Sequence, residues 1–373
     1  MQDMERGKVT LLPGDRLPTF KTPSRSNPAF AFDSVAGRWL VLGCVGSFGH
    51  AAVQSSLKAM VSETSLFDDT HASLFLLSSD PADQAQDRIP DRIPGLRVLL
   101  DTDLAVGRRL GIVGPEAPEG NPYGSVWFVI DPGLTIRAVV PFAQEGSEVA
   151  QVLDILRRVP PPDRYLGFPV PPPVLVLPDV FEPAFCAHLI AQYHRNGAEM
   201  SGFMRDIDGK TVAIQDPGFK VRRDFVIDDP ELIKATQARI IRKVIPQIER
   251  VHFFRCTRME RYMVGGYPAD EGGHFSPHRD NTTLGTAHRR FAVSINLNDD
   301  FEGGAVSFPE YSPQGIKAPK GAAVIFSCSL LHAVGRVTQG TRYAFLPFLY
   351  DDAAAQLREA NAARVPNAAG YKA

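Results

Sequence analysis

The sequence has little cysteine, no long apolar run and almost no net charge, and each shortage excludes a class of protein. Its four cysteines, Cys44, Cys186, Cys256 and Cys328, are far apart and form no CxxC pair, so we expect reduced, intracellular thiols. No apolar run is long enough to cross a bilayer, and the first residues lack the apolar core of a signal peptide. A net charge of −2 argues against nucleic acid or a membrane as a partner. We therefore expect a cytoplasmic protein.

Proline, by contrast, is abundant, and its distribution indicates where the chain divides. Seven of the 31 prolines lie in residues 159–173, VPPPDRYLGFPVPPP. Proline cannot donate to a strand ladder and favours an extended conformation, so this segment is typical of a semi-rigid linker. We predict one domain at 1–158, the linker at 159–173, a second domain at 174–352, and a helix or tail at 353–373.

The half before the linker alternates apolar strand-like runs with amphipathic stretches. Alternation of this kind predicts a layered α/β domain. The expected strands are 38–45, 72–78, 97–100, 125–131 and 136–140, and the expected helices are 51–64, 103–110 and 148–157.

This first half resembles the peroxiredoxin branch of the thioredoxin-like fold. The resemblance is carried by LLPGDRLPTF at 11–20, the strand at 38–45, LLDTDLAVGRRLGI at 99–112 and SVWFVIDPGLTIRAVV at 125–140. A peroxiredoxin needs a reactive cysteine at the first turn of the helix that follows the strand. Here that segment, residues 46–57, reads GSFGHAAVQSSL, and Cys44 lies inside the strand, where a cysteine is usually a small buried hydrophobe. We therefore expect a redox-inactive domain used for lidding, docking or formation of a homodimer.

The second half contains the ligand set of a metal site. His278 and Asp280 are two residues apart, so on an extended strand they point the same way and can chelate one ion. His332 then needs only to arrive from a neighbouring strand. Two imidazoles and one carboxylate are the ligands of a non-haem Fe(II) oxygenase, with positions left for O₂ and a co-substrate. Arg342, ten residues after His332, can start the next strand and hold a carboxylate beside the metal.

The competing interpretation places the two histidines and the aspartate on unrelated loops, with Arg342 in a surface salt bridge. Three features favour the metal site. His332 ends an apolar strand and turn, GAAVIFSCSLLH; Arg342 opens the run TRYAFLPF; and Tyr267 precedes the metal strand in YPADEGGHFSPHRD. Helices up to about Arg250, followed by strands from Phe253 onward, also suit a jelly roll, or double-stranded β-helix, braced by helices.

These motifs resemble the prolyl-hydroxylase branch of the 2-oxoglutarate- and Fe(II)-dependent dioxygenases. The resemblance rests on residues 267–280, 295–311, 321–334 and 341–348, and covers roughly 174–352. It implies that His278, Asp280 and His332 bind Fe(II) and that Arg342 and Tyr267 hold the C5 carboxylate of 2-oxoglutarate. Asn296 is a further candidate for cofactor binding. The segment from Tyr267 to His278 is one residue longer than the common pattern.

The resemblance implies hydroxylation of an unactivated C–H, using O₂ and 2-oxoglutarate and releasing succinate and CO₂, with ascorbate as a candidate reductant. We expect a small amino-acid-like substrate, such as a proline- or pipecolate-like molecule. The candidate substrate contacts are Arg279, Asn281, Arg290 and Arg223, each of which could equally be a solvated or structural polar residue. Two alternatives stay open, a peptidyl-prolyl hydroxylase and an oxygen-sensing binding protein recruited through the first domain. The intact ligand set favours an enzyme.

Overall fold

The computed structural model describes residues 11–113, 124–143 and 146–365. The chain divides into two compact units, one of Met1–Pro171 with Pro309–Pro313, the other of Pro172–Phe308 with Gln314–Ala373. The division at Pro171 falls inside the proline-rich segment, and residues 309–313 are grouped with the first unit although they lie far along the sequence. Within the described ranges, no helix combines the length and the hydropathy that a bilayer crossing requires.

The first unit is built on one mixed sheet. Its strands are β1 (Lys21–Thr22), β2 (Phe30–Ala31), β3 (Trp39–Val45), β4 (Ala72–Ser78), β5 (Leu96–Leu100), β6 (Val126–Ile130) and β7 (Ile136–Pro141). Its α-helices are α1 (Ala51–Ser62), α2 (Pro81–Ala85), α3 (Ala105–Arg109) and α4 (Glu148–Arg158). The order in the main sheet is β5-β4-β3-β6-β7; β3 pairs in parallel with β4 and antiparallel with β6.

The central strands of this sheet are buried on both faces. Every residue of β3, WLVLGCV, is buried, as expected for a central strand with other elements packed on either side. Gly43 is required there, since a Cβ at this position would overlap the ring of Trp127 on β6. On α4, Val149, Val152 and Leu156 recur at helical spacing and join the same core. The apolar runs of the sequence therefore form the interior of this unit.

The second unit combines helices with antiparallel strands. Its α-helices are α5 (Pro183–Asn196), α6 (Pro230–Lys243), α7 (Ile245–His252) and α8 (Asp352–Asn361). Its strands are β8 (Leu175–Leu177), β9 (Glu199–Met200), β10 (Phe203–Ile207), β11 (Lys210–Ile214), β12 (Lys220–Val221), β13 (Arg223–Val226), β14 (Arg258–Glu260), β15 (Met263–Pro268), β16 (His274–His278), β17 (Phe291–Asn296), β18 (Glu302–Gly303), β19 (Val306–Phe308), β20 (Ser312–Ile316), β21 (Ala323–Ser327), β22 (His332–Val334), β23 (Val337–Gln339), β24 (Thr341–Phe345) and β25 (Phe348–Tyr350).

Most of these strands form a larger and a smaller sheet, while β10 with β11 and β18 with β23 form two-stranded sheets. The larger runs β14-β25-β17-β24-β15-β13-β9, with β21 pairing to β17 and β8, and the smaller runs β12-β16-β22-β19-β20. Consecutive strands are often not neighbours, so residues far apart in sequence meet on adjacent strands. The core of the unit includes Val293 and Ile295 of β17 and Phe345 of β24, together with Leu189 of α5.

The start and break of the long helical stretch follow local sequence. Asp229 caps α6, its carboxylate accepting a hydrogen bond from the Glu231 amide at 3.0 Å, and Pro230 occupies the first helical position. The helical stretch breaks at Val244, and Pro246 lies in the first turn of α7. A proline in the first turn of a helix costs no internal hydrogen bond, which explains why the chain restarts as a new helix there.

Candidate metal centre

Three side chains converge where β16 and β22 lie side by side in the smaller sheet. His278 ends β16, His332 begins β22, and the two are direct partners in the strand register. Asp280 follows two residues after His278, and its amide donates to the Cys328 carbonyl at 3.0 Å. One ligand atom from each of His278, Asp280 and His332 lies within 4.8 Å of the others. The structure thus brings together the three residues that the sequence proposed as metal ligands.

Both imidazoles are held in the orientation that ligation needs. The Nδ1 of His278 donates to the Ser276 carbonyl at 2.8 Å, and that of His332 to the Leu330 carbonyl at 3.0 Å. Each Nε2 therefore carries a free lone pair, and the two lie 3.6 Å and 3.3 Å from the carboxylate oxygens of Asp280. Such a backbone hydrogen bond fixes the tautomer and ring plane of a metal-binding histidine.

The protonation states suit ligation as well. Burial lowers the pKa of His332 to about 4, so its imidazole is neutral at pH 7. Burial would raise the pKa of Asp280, but the facing His332 and His278 lower it, and the carboxylate is ionised. Two imidazoles and one carboxylate fit a divalent iron ion, and three ligands leave other coordination positions for further ligands.

The larger sheet carries a buried guanidinium with an unused donor, on β24. Arg342 of β24 is 1% exposed; its Nε donates to Asn296 Oδ1 at 2.9 Å and its Nη2 to Ser294 Oγ at 2.8 Å. Among the described residues, its Nη1 has no hydrogen-bond partner. Burial lowers the pKa of Arg342, Tyr267 raises it and repulsion from Arg222 lowers it, and no carboxylate of the described residues forms an ion pair with this guanidinium. A buried cation of this kind fits a bound carboxylate.

The other two residues proposed to bind the co-substrate, Tyr267 and Asn296, contact Arg342 in different ways. Tyr267 of β15 is the register partner of Arg342, whose guanidinium lies 5.2 Å from the centre of the phenol ring. The side-chain oxygen of Asn296 accepts from Arg342, while its nitrogen donates to the Ala318 carbonyl at 2.6 Å. Tyr267 thus lies beside the unused donor, whereas Asn296 holds the guanidinium in place.

The four candidate substrate contacts separate into two pairs. Arg279 donates to the Ser329 carbonyl, and Asn281 donates to the Ser329 hydroxyl at 2.9 Å, so both flank the metal ligands on one loop. Arg290 instead donates to the Ala287 carbonyl at 2.9 Å, and Arg223 pairs with Glu271 at 2.9 Å. Neither Arg290 nor Arg223 contacts His278, Asp280 or His332 through these bonds.

Arg223 was proposed as a substrate contact, but its neighbour Arg222 is the one that lies beside Tyr267. Lys220, Val221 and Arg222 are buried, whereas Arg223 is partly exposed and pairs with Glu271. Arg222 Nη1 lies 3.4 Å from the Tyr267 hydroxyl. The run FKVRRD holds both arginines, and the sequence alone does not decide which of them is buried.

Part of the second unit is similar to a known family of oxygenases. Residues 239–350 match the family model of the 2OG-Fe(II) oxygenase superfamily, and they include the three clustered residues, Tyr267 and Arg342. A PKHD-type hydroxylase of Prochlorococcus marinus is 25% identical over 126 residues, 33% of this chain and 57% of that protein. Another from Hyphomonas neptunium is 30% identical over 123 residues, 31% of this chain and 50% of the relative. The chain thus spans about half the length of these relatives.

Solved structures similar to the chain fall into two groups. A prolyl hydroxylase from Trichoplax adhaerens, in complex with a hypoxia inducible factor peptide fragment, covers 50% of this chain and 86% of its own, at 17% identity and a TM-score of 0.40. The peroxidoxin BcpB from Mycobacterium tuberculosis covers 40% of this chain and 99% of its own, at 18% identity and a TM-score of 0.35.

Proposed function

We propose that the protein is an Fe(II)- and 2-oxoglutarate-dependent hydroxylase, with its catalytic domain at 174–352 folded as a double-stranded β-helix. The observation that carries this proposal is the buried Arg342, whose Nη1 has no partner among the described residues. Arg342 lies against Tyr267, which shares an apolar cluster with Phe275, and the Phe275 ring stacks on His278 of the metal cluster. A metal site alone fits many activities. A metal site linked in this way to a buried guanidinium fits a co-substrate that ends in a carboxylate.

Each residue has a defined part in this proposal. His278, Asp280 and His332 would hold the iron, and Arg342 with Tyr267 would orient the far carboxylate of 2-oxoglutarate. Asn296 would keep Arg342 in place through the hydrogen bond to its Nε. When bound, iron would supply the oxidation of a C–H bond by O₂, coupled to conversion of 2-oxoglutarate to succinate and CO₂. Ascorbate would serve as a reductant.

The substrate class has two candidates. The first is a small amino-acid-like molecule, of the proline or pipecolate type, with Arg279 and Asn281 as contacts because they flank the metal ligands. The second is a prolyl residue in a peptide. The relatives are named as PKHD-type hydroxylases, which supports hydroxylation but does not separate these two classes.

For residues 1–158 we propose a thioredoxin-like domain without peroxide chemistry. Cys44 is fully buried within β3, and burial raises the pKa of its thiol, so the reactive thiolate is disfavoured. The role of this domain would be to dock a partner, to cover the active site or to form a homodimer in the cytoplasm. The alternative function, an oxygen-sensing binding protein recruited through this domain, would keep the metal site but release no succinate.

The test is co-substrate binding followed by turnover. Calorimetry on the Mn(II)-loaded protein should detect 2-oxoglutarate binding, and the Fe(II)-loaded protein should release succinate. His278→Ala should abolish succinate release, because it removes a metal ligand, whereas His188→Ala on the exposed face of α5 should leave it unchanged. Failure to bind 2-oxoglutarate would refute the proposal, and undiminished succinate release in His278→Ala would refute the ligand assignment.

A further inference from the structure

A second buried cation lies near the metal ligands and lacks a carboxylate of its own. Lys220 of β12 is 3% exposed, and its Nζ donates to Ser201 Oγ and to the Gly202 carbonyl, both at 2.6 Å. Both acceptors are neutral oxygens. An ammonium group has three N–H donors, so one donor has no acceptor in the part of the chain that the structure describes.

The position of Lys220 places it at the candidate active site. Its Nζ lies 4.9 Å from the ring centre of Phe275. That ring stacks on His278, with 3.5 Å between ring centres. The ring of Phe219, next to Lys220 in sequence, lies 6.5 Å from that of His278. Lys220 is therefore separated from a metal-binding imidazole by one aromatic side chain.

The neighbouring acid, Asp224, is already committed to another cation. Arg222 donates to its two carboxylate oxygens at 2.6 Å and 2.8 Å, and Arg261 approaches it at 3.5 Å. Ser201 also donates to Asp224, and so connects Lys220 to this carboxylate only through a hydroxyl. Asp224 thus neutralises Arg222, and the charge of Lys220 stays without a direct partner.

The charges of the proposed complex leave Lys220 uncompensated. Asp280 and the metal-binding carboxylate of 2-oxoglutarate would neutralise a divalent iron, and the other carboxylate of the co-substrate would neutralise Arg342. A buried ammonium without a counterion is costly, because burial removes its hydration. Burial, and then repulsion from Arg222, lower the pKa of Lys220 well below its ordinary value, although Asp224 and Asp280 act in the opposite direction. An anion beside the ammonium group would oppose the lowering further.

We propose, resting on the function proposed above, that Lys220 binds a carboxylate of the primary substrate. The substrate would then carry an acid group beside the C–H bond that is oxidised, either the α-carboxylate of a free amino acid or a carboxylate of a peptide. Lys220 is a specificity-determining residue in this account, distinct from Arg342, which binds the co-substrate.

The test compares acids with matched amides. Succinate release above the substrate-free rate is measured for the free L-amino acids and L-pipecolate against their carboxamides, and for prolyl peptides with free against amidated C-termini. We expect stimulation by acids only, and the arm that responds identifies the source of the carboxylate. Equal stimulation by amides, or no stimulation by any acid, would overturn the proposal without the need for a variant.

Variants then locate the effect at Lys220. Lys220→Met should raise the KM for the stimulating acid tenfold or more and leave the KM for the co-substrate within twofold, which also shows that the variant is folded. Lys220→Arg should retain most of the affinity, and Lys234→Met, on exposed α6, should change neither value. A rise in the KM for the co-substrate instead would assign Lys220 to 2-oxoglutarate binding and overturn the proposal. If the unmodified protein bound no 2-oxoglutarate, the proposed function itself would fail.

Discussion

Each of the two units has polar groups at the end of a buried strand. In the first unit these groups pair with one another, whereas in the second unit they leave ligand atoms and a donor available. After β3, the amide of Phe48 donates to Asp83 at 2.8 Å, and the hydroxyl of Ser47 donates to Asp80 at 2.7 Å. Arg88 pairs with both acids, at 2.7 Å and 2.9 Å. In the second unit, by contrast, two imidazole nitrogens converge on a carboxylate where β16 and β22 meet, and the buried Arg342 on β24 keeps a donor without a partner among the described residues.

This difference separates a structural network from a binding site. Buried polar groups in proteins are normally satisfied, so a satisfied cluster such as Asp83 with Arg88 is explained by stability alone. A buried donor without a partner costs free energy unless a ligand supplies one. Among the described residues the first unit also has unpartnered buried polar atoms, on Arg25, Arg38, Ser56 and Glu148, so the unpartnered Arg342 points to function only together with the histidine and aspartate cluster of its own unit.

The largest expected effect is at Arg342. Arg342→Met should raise the KM for the co-substrate about a hundredfold or more, since one side of a buried charge pair is worth about 2–5 kcal/mol. Arg342→Lys should lose less, because it keeps the charge but not the two-pronged geometry. Succinate release at varied 2-oxoglutarate concentrations provides the measurement, with Arg250→Met on the exposed end of α7 as the control. An unchanged KM in Arg342→Met would show that Arg342 does not bind the co-substrate, and the second unit would then not differ from the first in this respect.

An intermediate effect, on stability alone, is expected at Asp83. This buried carboxylate accepts from the Phe48 amide and the Ser78 hydroxyl and pairs with Arg88, so Asp83→Ala should lower the free energy of unfolding by about 2–4 kcal/mol. The two tryptophans of the chain, Trp39 and Trp127, both lie in the first unit, so their fluorescence in a denaturant titration reports on that unit. Succinate release below the unfolding transition should not change. A loss of turnover without a loss of stability would show that the first unit takes part in catalysis.

The smallest expected effect is a pH dependence in the first unit. Asp69 pairs with Arg97 through two hydrogen bonds, of 2.9 Å and 2.7 Å. Burial raises the pKa of Asp69, but the hydrogen bonds from Arg97 and Ser73 outweigh burial and lower the pKa to about 2. A lowered folded-state pKa gives stability that is present above the ordinary pKa of about 4 and is lost as the pH falls toward 2, here about 1–2 kcal/mol. Asp69→Asn keeps the shape and the positive φ of 64° and should remove most of this dependence. Unfolding followed by tryptophan fluorescence at pH 7 and pH 3 measures this pH dependence. The prediction would be contradicted if the unmodified protein and Asp69→Asn lost the same stability between the two pH values.

Much of the fold was predictable because the signals are local. The strand expected at 72–78 has the same bounds in the structure, since a continuous apolar run suits a strand buried on both faces. The helix start at Asp229-Pro230 depends only on capping by adjacent residues. The pair His278 and Asp280 is likewise local, because a spacing of two residues is itself a chelating geometry.

The sequence by itself therefore determined the alternation of elements, the metal-ligand pattern and the absence of a cysteine after β3. Only the tertiary structure decided which cations are buried beside Tyr267. Arg222 is buried and lies against the Tyr267 hydroxyl, whereas Arg223, the first residue of β13, is partly exposed and pairs with Glu271. The acceptors of Lys220 come from residues 201 and 202, nineteen and eighteen positions earlier. Burial and register are properties of strands packed together, and no spacing along one strand encodes them.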